Sequence, residues 1–176
     1  MQHVAVCDGP DPEFRRVPLA RLMHGFGLAM NILIADDDYD VRKLLASAFR
    51  KDGYRITEAK SGPDLFDQLW NRASSRGCFD LIISDVRMPG YTGLEVLGLL
   101  RSKCDPADDY EPQLRETPII FITAFGDREV HQDAKRLGAV VFDKPFDVDE
   151  LRAYARKLAR PVDELASLHR DDGGEG

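Results

Sequence analysis

The sequence predicts an α/β fold, a doubly wound five-stranded parallel sheet with helices on both faces. Three observations predict it. Short apolar runs alternate strictly with amphipathic stretches; several runs are apolar throughout, as strands covered on both faces are; and five such β–α repeats require parallel pairing through right-handed crossovers. The strand candidates are Ile32–Ala35, Tyr54–Glu58, Leu81–Ser84, Ile119–Ile122 and Ala139–Phe142, of which the second is the weakest. After the first, Val41, Leu44, Leu45, Ala48 and Phe49 recur at the spacing of one helical stripe. Leu65, Phe66, Leu69 and Trp70 form a second stripe, which assigns Trp70 to the core. Leu94, Leu97 and Leu100 mark a third helix, and Val148, Leu151, Ala155 and Leu158 the last. The charged segment Asp127–Arg136 reads as a helix with a solvated face. Gly53 and Gly138 stand where helices should stop.

The chain of 176 residues has room for one domain with tails. Its net charge of −7 lacks the basic field of a nucleic-acid binder, so no direct contact with nucleic acid is expected. No apolar run approaches the ~18 residues of a membrane helix. The N-terminal apolar run is short and is followed by Asp8, Asp11 and Glu13, unlike a secretory signal. Cys7, Cys78 and Cys104 are odd in number and form no CxxC pair, which suits reduced thiols and a cytoplasmic location. Residues 1–29 carry Gly9-Pro10, Pro12 and Pro18 with little periodicity. They read as a flexible extension, with Met30 as a candidate start. The folded domain is expected over residues 30–160, and residues 161–176 read as an acidic, glycine-rich tail.

Ligands of open parallel sheets bind outside the carboxyl ends of the strands, so the residues that end each strand matter most. The first strand runs into Asp36-Asp37-Asp38, the third into Asp85, the fourth into Thr123, and the fifth is followed by Lys144-Pro145. Singly, each has a plain alternative: an aspartate run caps a helix or turn, and a Lys-Pro lies on the surface. Jointly they place several carboxylates, a hydroxyl and an ammonium at one edge. Clustered carboxylates repel, and a hard divalent cation such as Mg2+ relieves that conflict. A cation and an ammonium beside one carboxylate are also what an aspartyl-phosphate requires.

The segment 31–160 resembles the receiver domain of bacterial two-component response regulators. The resemblance rests on four motifs in order: Ile32-Leu33-Ile34-Ala35-Asp36-Asp37-Asp38, Asp85-Val86-Arg87-Met88-Pro89-Gly90-Tyr91-Thr92-Gly93, Ile122-Thr123-Ala124, and Asp143-Lys144-Pro145-Phe146. It implies a flavodoxin-like (βα)5 domain of strand order 2-1-3-4-5, and a stand-alone phosphorylation-controlled switch rather than a dedicated enzyme. It further implies Asp85 as phosphoacceptor. Mg2+ would be held by Asp37, by Asp36 largely through water, by Asp85 and by the Arg87 carbonyl. Thr123, Ala124 and Lys144 would contact the phosphoryl group, and Lys144–Pro145 would be cis. Asp38 would be an exposed extra acid or the start of the first helix. Arg87 and Phe125 would flank the path of a hydrolytic water, and their bulk implies a persistent phosphoryl group. The implied partners are a sensor histidine kinase or histidine phosphotransfer protein, an output partner, and a second copy of the chain through the 127–160 face.

Two departures stand out. The resemblance places an aromatic switch residue three before the lysine, where this chain has Val141; the aromatic is Phe142. Either Phe142 serves or the relay is absent. The stretch from Cys104 to Thr117 is also longer than a usual turn, and acidic. A different class, haloacid-dehalogenase-type phosphatases, also uses Asp-x-Asp after a first strand, and Asp36-x-Asp38 matches that spacing; Asp36 would then be the nucleophile. The histidines, His131 among them, show no ligand spacing and read as surface.

Overall fold

The computed structural model describes residues 29–74, 78–102, 117–124 and 128–159. The extension over residues 1–28, the acidic stretch 103–116, Phe125 and the tail 160–176 lie outside the described residues. Among the described residues, five strands, β1 (Asn31–Ala35), β2 (Arg55–Ala59), β3 (Leu81–Asp85), β4 (Ile119–Thr123) and β5 (Val140–Asp143), alternate with five helices. These are α1 (Tyr39–Lys51), α2 (Gly62–Ser74), α3 (Gly93–Ser102), α4 (Arg128–Arg136) and α5 (Val148–Ala159). All strand pairs are parallel, in the order β2-β1-β3-β4-β5. β1, β3 and β4 are therefore internal, which is why their sequences are apolar on both faces.

Alternation along those strands feeds two cores. Leu33, Ile82, Phe121 and Val141 pack with Leu65 and Leu69 of α2, Val96 and Leu97 of α3, and Val130 and Ala134 of α4. On the other face Ile32, Ile34, Ile83, Ile122 and Phe142 pack with Leu45, Ala46 and Phe49 of α1 and with Leu151 and Ala155 of α5. Each fully buried aliphatic side chain contributes about 1.5–3 kcal/mol of transfer free energy, so these layers dominate stability. α1 and α4 end on Gly53 (φ 87°) and Gly138 (φ 62°), left-handed positions that suit glycine.

Three expectations are corrected. Trp70 is 57% exposed and stacks on Phe66, with ring centroids 6.2 Å apart. Leu65 and Leu69, one turn apart, take the buried stripe of α2, and Trp70 lies 100° further round the helix than Leu69. The stripe of α1 is likewise rotated from the predicted one. Leu44 is exposed, and Arg42, Leu45, Ala46 and Phe49 are buried. His131 is not a surface histidine: its side chain is only 17% exposed, and Nε2 lies 3.3 Å from Asp143 Oδ1. No helix among the described residues is long and apolar enough to cross a membrane.

Candidate phosphoacceptor site

The C-terminal edge of the sheet collects the predicted residues because parallel pairing puts every strand end on the same side. β1 ends at Ala35, and the chain turns through Asp36 and Asp37 into α1. Asp38 caps that helix, its Oδ1 accepting from the amides of Asp40 and Val41 at 2.8 and 3.2 Å. Asp38 is thus both of the things expected of it, an exposed acid and the helix start. Asp36 is 1% exposed, while Asp37 is exposed. Asp85 closes β3 at 7% exposure. Carboxylate oxygens of Asp36, Asp37 and Asp85 all lie within 4.8 Å of one another.

Lys144 follows β5, two strands from β3, and its long side chain reaches past β4 to the acids. Its Nζ donates to Asp85 Oδ2 at 2.8 Å and to Asp36 Oδ2 at 3.0 Å. Burial of the ammonium alone would favour its neutral form, but the two carboxylates more than offset this, and its pKa is raised. Burial holds the Asp36 carboxyl above the usual aspartate value; the ammonium of Lys144 only partly offsets this, and the charge on Asp85 adds to it. The other oxygens have backbone donors: Asp38 N to Asp36 Oδ1 at 2.9 Å, and Arg87 N to Asp85 Oδ1 at 3.1 Å. The Lys144–Pro145 peptide is cis, and the Lys144 amide donates to the Thr123 carbonyl at 2.7 Å.

Thr123 is fully buried, and Ala124 beyond it is exposed. Register pairs Thr123 with Asp143, and alternation puts both on the face of Phe121 and Val141, toward α4. Phe142 lies on the opposite face, edge-on to Tyr154 of α5 with centroids 5.8 Å apart. The residue at the expected aromatic position is therefore Val141, and the neighbouring aromatic faces away from α4.

The sequence reading omitted Arg42 altogether. It is 9% exposed, and its Nη1 donates to the Asp36 carbonyl at 2.6 Å and lies 3.5 Å from that of Asp37. Nothing in the local spacing marked it, because residue 42 lies outside the apolar stripe of Val41, Leu44, Leu45, Ala48 and Phe49. Three oxygen donors converging in a half-closed pocket form a hard, all-oxygen set suited to Mg2+ or a similar ion. Asp36, Asp37 and Asp85 are the side chains that could hold it.

Residues 32–156 match the family model of the response regulator receiver domain, and the chain belongs to that family. It is 34% identical over 127 residues to Sporulation initiation phosphotransferase F of Bacillus subtilis, covering 72% of this chain and 90% of that one. It is 32% identical over 148 residues to Regulatory protein AtoC of Escherichia coli, covering 79% of this chain but only 28% of that protein. Among solved structures, response regulator protein TrrA from Thermotoga maritima, in complex with Mg2+-BeF, superposes with a TM-score of 0.58 at 29% identity, covering 73% of this chain and 98% of that one. Family membership sets aside the phosphatase reading.

Proposed function

We propose that this receiver domain is a signalling switch set by phosphorylation of Asp85. The observation that carries the reading is the state of that carboxylate. It ends a central strand, is nearly buried, and is held by Lys144 and the Arg87 amide with two further acids within reach. The phosphoryl donor would be a phosphohistidine on a sensor kinase or phosphotransfer protein. Asp85 attacks phosphorus, the P–N bond breaks, and an acyl phosphate forms on the carboxylate. A divalent cation held by Asp36, Asp37, Asp85 and the Arg87 carbonyl would neutralise the acids and balance phosphoryl charge. Two features support it: the all-oxygen donor set, and the Mg2+ present in the TrrA structure.

Lys144 sits where it can follow the charge, from the carboxylate to the phosphoryl oxygens, and so favours transfer electrostatically. Thr123, with Ala124 beyond it, would close on the phosphoryl group and draw the β4–α4 loop inward. Because Phe142 faces α5, we infer that this movement proceeds without an aromatic relay; Val141 occupies the α4 side. The result is a shift between two conformations biased by phosphoryl contacts. Output would leave through the 127–160 face, to a partner or a second copy; exposed charges on α4 at Arg128, Glu129, Lys135 and Arg136 suit a polar contact. Arg87 and Phe125 would slow hydrolysis.

The test is transfer from a small acyl phosphate. With Mg2+ and acetyl phosphate the intact mass should rise by one phosphoryl group, and the gain should vanish in Asp85→Asn and with a chelator present. A gain that persists in Asp85→Asn would refute the assignment.

A further inference from the structure

Arg42 presents a physical problem that the site description leaves open. A guanidinium nine-tenths buried on the core-facing side of α1 is costly unless it is fully paired, and an apolar residue of similar volume is often the more stable choice there. Its partners point to a reason. Nη1 donates to the carbonyl of Asp36 and lies 3.5 Å from that of Asp37, the two residues whose carboxylates enter the pocket. Nε lies 3.5 Å from Glu58 Oε2 on the neighbouring strand β2, and the guanidinium carbon sits 5.5 Å from the centroid of the Tyr39 ring. Glu58 is itself held by Lys43 at 2.9 Å and Arg50 at 2.9 Å, both on α1. The planar fork therefore joins the β1–α1 turn to an anchored carboxylate on the next strand. A lysine, with one compact ammonium, lacks that geometry.

Other restraints act on the amides and carboxylates of the turn and on its exit into α1: Lys144 Nζ holds Asp36 Oδ2 at 3.0 Å, Asp38 Oδ1 accepts from the Asp40 and Val41 amides, and the Arg42 amide donates to the Asp38 carbonyl. The Asp36 amide donates to the Ala59 carbonyl at 3.2 Å, and Asp38 N closes back on Asp36 Oδ1. The carbonyl side of the turn is directed by Arg42. The orientation of those peptide planes acts on where the Asp37 carboxylate points, and on Asp36 together with Lys144 and the Asp38 amide, which hold its two oxygens.

We propose that Arg42, anchored by Glu58, is a positioning residue that fixes the Asp36–Asp37 turn so that both carboxylates converge on Asp85, and thereby sets the divalent-cation affinity of the pocket. The inference rests on the reading that this pocket holds such an ion. Groups that orient the ligands of a metal typically change its affinity about 10–100-fold when removed. Arg42→Met and Arg42→Lys are each expected to weaken Mg2+ binding at least tenfold, and Glu58→Gln to weaken it less, in the same direction.

The experiment is calorimetric titration of the full chain with Mg2+ at 10 °C, where all variants are checked for native circular dichroism. Ala46→Gly, which destabilises the same helix one turn on without touching the turn, is the control. Weakening in both Arg42 variants, with Ala46→Gly unchanged, supports positioning. Amide shifts of Asp37 and Asp38 that move in Mg2+-free Arg42→Lys would support it independently of the metal. Wild-type affinity in Arg42→Lys, or an equal loss in Ala46→Gly, overturns it. Should Arg42→Met fail to fold, Arg42→Lys and Glu58→Gln carry the same test. Absence of Mg2+ binding by the wild-type chain would overturn the metal reading, and this inference with it.

Discussion

Two glycines five residues apart on α3 should respond to the same substitution with opposite signs. A Cβ built on Gly93 would lie 2.4 Å from the Asp85 carbonyl oxygen and 2.6 Å from Ser84 Oγ, against 3.4 Å where ordinary contact begins. The helix start must then retreat from β3 by about 1 Å, straining the hydrogen bond from the Gly93 amide to the Val86 carbonyl at 2.9 Å. Overpacking of this kind costs about 1–3 kcal/mol, and a rigid strand end argues for the upper half of that range. In a domain of this size, that is a fall in Tm of roughly 6–12 °C. Gly98 has nothing within 4 Å of its notional Cβ. There, alanine removes the entropic disadvantage of glycine in a helix, about 0.5–1 kcal/mol, and should raise Tm by roughly 2–4 °C. The assay is thermal unfolding of Gly93→Ala and Gly98→Ala beside wild type, with phosphoryl incorporation from acetyl phosphate on the same samples. Gly93→Ala should also slow incorporation, because the displaced carbonyl belongs to Asp85, the proposed acceptor. Equal stability of the two variants, or a normal rate in Gly93→Ala, would refute the claim that Gly93 is required by its approach to Asp85.

Lys144→Met removes a positive charge beside Asp36 and Asp85; a unit charge ~4 Å away is worth about 1 kcal/mol in water and about 4 kcal/mol at an effective dielectric of ~20, and this partly exposed edge lies between those limits. Mg2+ should bind roughly tenfold tighter while phosphoryl incorporation falls, both measurable on one preparation; looser Mg2+ binding would contradict the electrostatic account. Hydrogen bonds from Arg152 hold Asp52 below its usual pKa, and Glu58 is also lowered, because hydrogen bonds from Lys43 and Arg50 outweigh the effect of burial. A lowered carboxylate stabilises the fold above its unfolded pKa and loses that contribution as pH falls through the folded value, so the acid limb lies below about pH 4. Asp52→Asn should accordingly be less stable than wild type at pH 7, with the gap closing toward pH 2–3 in a pH series of unfolding curves.

The parallel sheet and the gathering of acids at one edge were legible because they depend on features that sequence carries well, whereas the strand order came from the family resemblance alone. Runs such as Ile32–Ala35 and Ile119–Ile122 are too apolar for an exposed strand, and parallel alternation fixes which ends meet. Helix faces were less legible. On α1 the apolar count favoured Leu44, but the packing face turned toward Arg42, whose cost is met by two carbonyls and Glu58. Those partners come from a turn and a neighbouring strand, and no local spacing reports them. Trp70 misled for a related reason: an aromatic beside a buried stripe can stack on a flanking ring, here Phe66, while remaining outside. The pairing of His131 with Asp143 joins α4 to β5 across the register, which again depends on tertiary placement alone.

The most direct test of the central claim locates the phosphoryl group itself. The chain would be phosphorylated with acetyl phosphate and Mg2+, reduced with borohydride to convert the acyl phosphate to homoserine, digested, and sequenced by mass spectrometry. The account predicts homoserine at position 85 and aspartate retained at 36 and 37. Homoserine at 36, with aspartate intact at 85, would contradict it.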